Sequence, residues 1–268
     1  MQAGPVVAAL LVTAAALRVM MAVTFAVALR TGKHSVVDIA WGIGLALTAL
    51  VSLLATEGHG QPARRLTLLA ASAAWGLRLA AHVGRRNRGK PEDPRYRDLL
   101  ARAKGSKNRY ALRVVYLPQA LILWLASLPV QAGMLERAPA GPVTILGAAI
   151  WLTGFVFESV GDAQLARFKA DPANRGIIMD RGLWRYTRHP NYFGDACMWW
   201  GMFLIALGSV AELPTVIAPL LMTLVLTRGT GQRLTDRRMA ATRPQYADYA
   251  ARTSGFIPLP PRRPAAPR

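Results

Sequence analysis

The stretch Pro142-Val143-Thr144-Ile145-Leu146-Gly147-Ala148-Ala149-Ile150-Trp151-Leu152-Thr153-Gly154-Phe155-Val156-Phe157-Glu158-Ser159-Val160-Gly161 holds twenty residues and a single charge, Glu158, near its end. About twenty apolar residues in helical form cross the hydrocarbon core of a bilayer. Six further blocks share this character, at 4–29, 36–55, 66–83, 111–132, 192–211 and 213–227. The last two are short, and Pro214 and Pro219 interrupt the final one. The spacing predicts an all-α, polytopic integral membrane protein of about seven transmembrane helices, a single membrane-embedded domain over 1–268. The first block lacks a basic leader and carries Arg18 in its middle, so it reads as a retained helix and not a signal peptide.

Composition agrees with this reading. The 268 residues are 53% hydrophobic and only 18% charged, against about 25% charged in an ordinary soluble domain. Disorder, collagen and disulfide scaffolds are excluded, the last because Cys197 is the one cysteine. The net charge is +19. It sits between the apolar blocks, where lipid headgroups or an anionic cofactor are its partners, and no nucleic acid is expected.

The distribution of that charge orients the chain. Of 33 basic residues, 27 fall in the segments 30–33, 84–109, 162–190 and 228–268, which alternate to one side. Only Arg64, Arg65 and Arg137 fall on the other side. The positive-inside rule then predicts the N-terminus out and the C-terminus in, in a bacterial inner membrane, with any cofactor site cytoplasmic. Residues 261–268, after the proline-rich Pro258-Leu259-Pro260-Pro261, read as a flexible tail.

The chemistry gathers between 158 and 200. Glu158 and Asp162 are four apart and share a helical face, which Lys169 continues if the helix extends. Carboxylates near a bilayer are costly and mark function by default; the plainer reading is a solvated helix end paired with Arg167 or Lys169. Next comes Gly182-Leu183-Trp184-Arg185-Tyr186-Thr187-Arg188-His189-Pro190-Asn191-Tyr192-Phe193-Gly194-Asp195. Pro190 suits the first turn of a helix, which sets Asn191 and Asp195 on one face. Arginines pair with phosphates, helix N-termini favour anions, and aromatic rings stack on bases. An ordinary basic flank with interfacial aromatics explains Arg185, Arg188 and Trp184, but not Asn191 and Asp195. A cofactor-binding half is therefore expected at about 142–260. No dinucleotide fingerprint, P-loop or nucleophile elbow is present, and His34, His59, His82 and His189 lack metal-ligand spacing.

This stretch resembles the signature of the steroid 5-alpha-reductase superfamily, most closely its bacterial branch (3-oxo-5-alpha-steroid 4-dehydrogenase-like, of the domain of unknown function 1295 type). Asp38-Ile39-Ala40-Trp41-Gly42, Trp75-Gly76-Leu77-Arg78-Leu79 with His82, Arg85-Arg86-Asn87-Arg88-Gly89-Lys90, and Tyr246 through Pro258 are similar too, so the resemblance covers roughly 35–260. It implies a seven-helix membrane fold and an NADPH-dependent reductase of a carbon–carbon double bond conjugated to a carbonyl. It assigns cofactor contacts to Asn191, Tyr192, Asp195 and Asp162, with Lys169, Tyr246, Tyr249 and Arg252 enclosing the cofactor. Glu158, Arg188 and His189 join that set from their place in the polar cluster. Asp195 stands where the family carries Glu, and Glu158 where the steroid enzymes carry an amide. The Gln-Glu pair that binds the steroid carbonyl has no counterpart, and Val83 falls at the position of its tyrosine.

The residues supply substitutes. Asp38 lies at the mouth of the second block, and Arg78, His82 and Arg85 share a face of the third. Hydride addition to an enone puts negative charge on the carbonyl oxygen, which needs a donor and an acid. His82, oriented by Asp38 and supported by Arg78, suits that role; a structural Asp–Arg/His network is the alternative. A methyltransferase using S-adenosylmethionine, similar to the isoprenylcysteine carboxyl methyltransferases in its Arg-His-Pro-x-Tyr segment, is the second functional class. A non-enzymatic transporter or lipid-binding scaffold is the third.

Overall fold

A computed structural model describes residues 3–229 and 231–262; of the tail expected at 261–268, all but the first two residues lie outside the described residues. The described residues are all-α apart from an isolated bridge between Thr187 and Ser254. Six helical segments are long and apolar enough to cross a membrane: Gly4–Thr31, His34–Ala55, Pro62–Asn87, Lys107–Gly133, Pro142–Ala170 and Val210–Thr242. The chain is thus a polytopic membrane protein. The block expected at 192–211 forms a helix of 17 residues, Pro190–Ala206, shorter than the other six. Its contacts divide the chain into two compact units.

The first unit runs to Ile145 and takes back Met202–Ala218. Its helices are α1 (Ala3–Thr31), α2 (Val37–Ala55), α3 (Pro62–Asn87), α4 (Pro94–Leu100), α5 (Lys107–Ala111), α6 (Leu117–Ala126) and α7 (Leu128–Gly133). Between α5 and α6 the turn Leu112–Tyr116 widens to π-helical form. Pro118 follows at once and has no N–H to give the turn behind it, so the ladder is relaxed there. Leu17, Leu45, Leu68, Trp75 and Leu123 fill the core. Helices α2 and α3 cross backbone against backbone: a Cβ on Gly42 would stand 2.1 Å from the Gly76 oxygen, and one on Gly76 2.2 Å from the Gly42 oxygen. Small residues permit such close approach where lipid supplies no hydrophobic drive. Outward, α1 presents Leu11, Val19 and Val23, all well exposed, as a lipid-facing helix should.

The second unit comprises Leu146–Gly201 and the chain from Pro219 onward. It contains most of α8 (Pro142–Ala170), the first turns of α9 (Pro190–Ala206), α10 (Ile217–Thr227), α11 (Gln232–Thr242) and α12 (Tyr246–Arg252). Gly147, Gly154 and Gly161 recur every seven residues on α8, and α9 answers with Gly201, Gly194 and Pro190. A Cβ on Gly154 would meet the Gly194 oxygen at 2.4 Å, and one on Gly201 the Gly147 oxygen at 2.7 Å. The two helices are therefore antiparallel and in glycine contact along a heptad seam. This seam carries the start of α9 to the level of Gly161, one residue before Asp162. Helix α8 continues to Ala170, beyond the apolar block, so Asp162 and Lys169 do lie on one helix with Glu158.

Candidate functional site

In the second unit the polar cluster is built around one carboxylate, Asp236 of α11. His189 Nε2 lies 2.6 Å from its Oδ1 and Arg188 Nη2 donates to Oδ2 at 3.0 Å. The Tyr246 hydroxyl, at the start of α12, donates to Oδ1 as well. Arg188 uses its other terminal nitrogen on the carbonyls of Ala250 (3.1 Å) and Thr253 (2.8 Å). The loop before α9, the helix α11 and the segment around α12 are thus fastened at one point.

Backbone bonds repeat the tie. The Arg188 N–H donates to the Ser254 carbonyl at 2.9 Å, and the buried Thr187 hydroxyl donates to the Phe256 carbonyl at 2.8 Å. Behind them Trp184 donates to the Gly161 carbonyl at 3.0 Å, and Tyr249 donates to the Trp184 carbonyl at 2.6 Å. Gln164 of α8 accepts from the Leu183 N–H at 3.0 Å. The loop Gly182–Pro190 is therefore fixed both to α8 and to the α12 segment.

The start of α9 is what this frame presents. Tyr192 stacks on His189 with ring centroids 5.2 Å apart and planes within 2°. Asn191 donates from Nδ2 to Asp162 Oδ1 at 3.3 Å, joining α9 to α8. Glu158 and Asp162 are buried, Asn191, Tyr192 and Asp195 are half-buried, and Lys169 is exposed. Arg252 is exposed and pairs with Asp180 at 2.7 Å.

Charge follows geometry. Burial alone would lower the pKa of Arg188, but its bond to Asp236 raises it instead. Burial first, then the bond to Asp236, push Tyr246 well above the usual phenol value. Tyr249 is raised by burial and by Tyr246 beside it. Arg188 thus stays a cation and both phenols stay protonated donors at neutral pH.

All eleven expected cofactor residues fall in the second unit, where ten of them divide into two kinds. Arg188, His189, Tyr246 and Tyr249 spend their polar groups on the frame, through Asp236 and backbone carbonyls. Asn191, Tyr192, Asp162, Asp195, Glu158 and Lys169 lie on α8 and the first turns of α9. Arg252 lies apart, on its bridge to Asp180. Asp236, which organises the frame, did not figure in the sequence reading. Its signal is the lone carboxylate in Gln232-Arg233-Leu234-Thr235-Asp236-Arg237-Arg238, a negative charge inside a basic run.

The three expected catalytic residues fall in the first unit. Arg78 and His82, half-buried, share a face of α3. Asp38, in the first turn of α2, accepts from the Tyr96 hydroxyl at 2.5 Å and from Arg95 at 2.7 Å. Gln119 donates to the Tyr96 oxygen at 3.4 Å and accepts from Trp41 at 2.7 Å. Burial, then the negative charge of Asp38, hold the Tyr96 phenol protonated far above its usual range. Tyr96 and Gln119 were not foreseen, since they come from a basic loop and a different helix. Among the described residues no group of three or more His, Cys, Asp or Glu side chains is placed to hold a metal ion.

Residues 24–253 match the family described as "Protein of unknown function (DUF1295)". The uncharacterized protein C594.04c of the yeast Schizosaccharomyces pombe is 28% identical over 268 residues, an alignment that covers 88% of this chain and 76% of the yeast protein. No solved structure matches the chain.

Proposed function

The chain belongs to the DUF1295 family of proteins of unknown function, and from that premise we propose that it is an NADPH-dependent reductase of a carbon–carbon double bond conjugated to a carbonyl in a hydrophobic, steroid-like or other lipid substrate. The resemblance to the steroid 5-alpha-reductase superfamily supports this. The observation that carries it is the fixing of Arg188–Tyr192 by Asp236, which delivers Asn191 to Asp162 at the start of α9.

The donor set suits an anionic dinucleotide. Asn191 and Asp162 together offer a donor and acceptors to an amide or a ribose hydroxyl. The Tyr192 ring, backed by His189, offers a stacking face. Lys169 and Arg252 are exposed cations for phosphate; the Asp180 partner of Arg252 is itself partly solvated, so that pair exchanges at little cost. The start of a 17-residue helix adds a partial positive charge. NADPH, when bound, supplies the hydride.

The chain's residues do the rest. Arg188, His189, Tyr246 and Tyr249 position the Asn191 segment. His82 is assigned the proton delivered to the reduced substrate, with Arg78 and Asp38 as electrostatic support. The basic segments support an N-terminus out and a C-terminus in by the positive-inside rule, an orientation that would turn the cofactor residues toward the cytoplasm of a bacterial inner membrane.

The test is ligand binding to detergent-purified protein, followed by cofactor fluorescence, with NADH and S-adenosylmethionine in parallel. Selective NADPH binding, weakened in Asn191→Ala and Asp195→Ala at unchanged thermal stability, is the expected result. Binding of S-adenosylmethionine alone moves the same residues to methyl transfer and ends the reductase reading.

A further inference from the structure

Arg18 lies near the middle of α1, about 20 Å from either end at 1.5 Å per residue. A hydrocarbon core about 30 Å thick then keeps its Cα roughly 10 Å or more below either surface, wherever the helix slides. Its side chain is on the exposed face, among Leu11, Val19 and Val23. It has no hydrogen bond or ion pair among the described residues. A guanidinium facing lipid at that depth is costly, and such residues are paired with a countercharge.

Among the described residues, no exposed carboxylate of the candidate spans or of α9 supplies the countercharge. The carboxylates of the candidate spans and of α9 are Asp38, Glu158, Asp162, Asp195, Glu212 and Asp236, each buried or half-buried. A second copy meeting the first through α1 would set Arg18 against Arg18. The positions one turn before and after, Ala15 and Ala22, are also exposed and small, so another backbone can come close on both sides of the guanidinium.

We infer that the face of α1 around Arg18 seats a transmembrane helix of another protein that carries an Asp or Glu near its middle. The inference does not depend on the proposed reductase activity.

The full-length protein, labelled at one site, is reconstituted in phosphatidylcholine vesicles with synthetic apolar transmembrane helices bearing a central Glu, Gln or Leu. Association is read by energy transfer. The Glu helix is expected to bind about tenfold more tightly than the Leu helix, with Gln between them. Arg18→Leu, which adds apolar surface where lipid lies and leaves thermal stability unchanged, removes the preference; Arg18→Lys keeps most of it. Ala22→Leu weakens binding of the Glu helix by crowding the seat. Equal binding of all three helices to the wild type overturns the inference, since Arg18 is then satisfied by water or headgroups. A Glu preference that survives in Arg18→Leu overturns it equally, by assigning the attraction to another cation.

Discussion

Asp38 and Asp236 are alike in chemistry, each a carboxylate holding an arginine and a tyrosine, yet they are placed differently. Both of Asp38's donors, Arg95 and Tyr96, are neighbours on α4, and Arg95 is 41% exposed. Asp236 gathers Arg188 and His189 from one segment and Tyr246 from another, with side-chain exposures of 15%, 4% and 20% for Arg188, His189 and Asp236 itself. A carboxylate that ties distant segments in a dry setting carries tertiary structure. Asp38, 18% exposed, also joins segments far apart in the chain, α2 and α4, but it holds a single short helix and its arginine is open to water.

Removing the Asp236 charge should therefore do the most damage. Asp236→Asn leaves Arg188 without its countercharge and is expected to cost roughly 3 kcal/mol, read as a large fall in Tm together with lost NADPH binding. A protein of wild-type Tm would mean that the Thr187–Phe256 and Arg188–Ser254 bonds alone hold the segment.

The glycine crossings permit a matched test of the two units. Gly42→Ala in the first and Gly154→Ala in the second each drive a methyl toward a facing carbonyl, at 2.1 and 2.4 Å. Each is expected to cost about 2 kcal/mol by overpacking, with only the second also weakening NADPH. Equal loss of NADPH affinity in both variants would break the proposed assignment of the cofactor to the second unit alone.

A smaller effect is expected at Asn191. Its replacement by Ala should weaken NADPH roughly tenfold, the worth of one hydrogen bond to a charged or polar ligand group, with Tm held. Asp38→Asn ranks below it, costing about 1 kcal/mol because Arg95 can turn to water, while slowing turnover more than binding. An unchanged turnover would make Asp38 purely structural.

The least effect is the acid limb of the first unit. Burial pushes the Asp93 carboxyl up, but its bonds to the Arg95 side chain and N–H bring it below the usual carboxylate value. A depressed folded pKa stabilises the protein above the unfolded pKa, near 4. That contribution is lost as pH falls through the folded value. The Tm should be flat between pH 6 and 9 for this group, decline slightly below about pH 4, and decline less in Asp93→Asn.

Much of the fold was legible because a bilayer requires it. Long apolar blocks must be helices, and the five clearest lie within helices long and apolar enough to span. The short block ending at residue 211 became the 17-residue α9, since the turn at Leu207-Gly208 ends it early. The cofactor candidates were legible as residue types that a basic membrane flank does not need, such as Asn191 and Asp195. The Asp236 tie was not, because its partners lie 47 and 48 residues away on one side and 10 on the other. Local periodicity carries no information about such pairings.

By itself, then, the sequence determined the class of structure, the stretches that are helical and the polar segment that is out of place beside a membrane. These follow from hydrophobicity and spacing, which act through neighbours in the chain. Only the tertiary structure decided which of those polar residues serve the frame and which gather where α8 meets the first turns of α9. That division depends on the partner each hydrogen-bonding group meets, and a partner such as Asp236 comes from a remote helix brought near by packing.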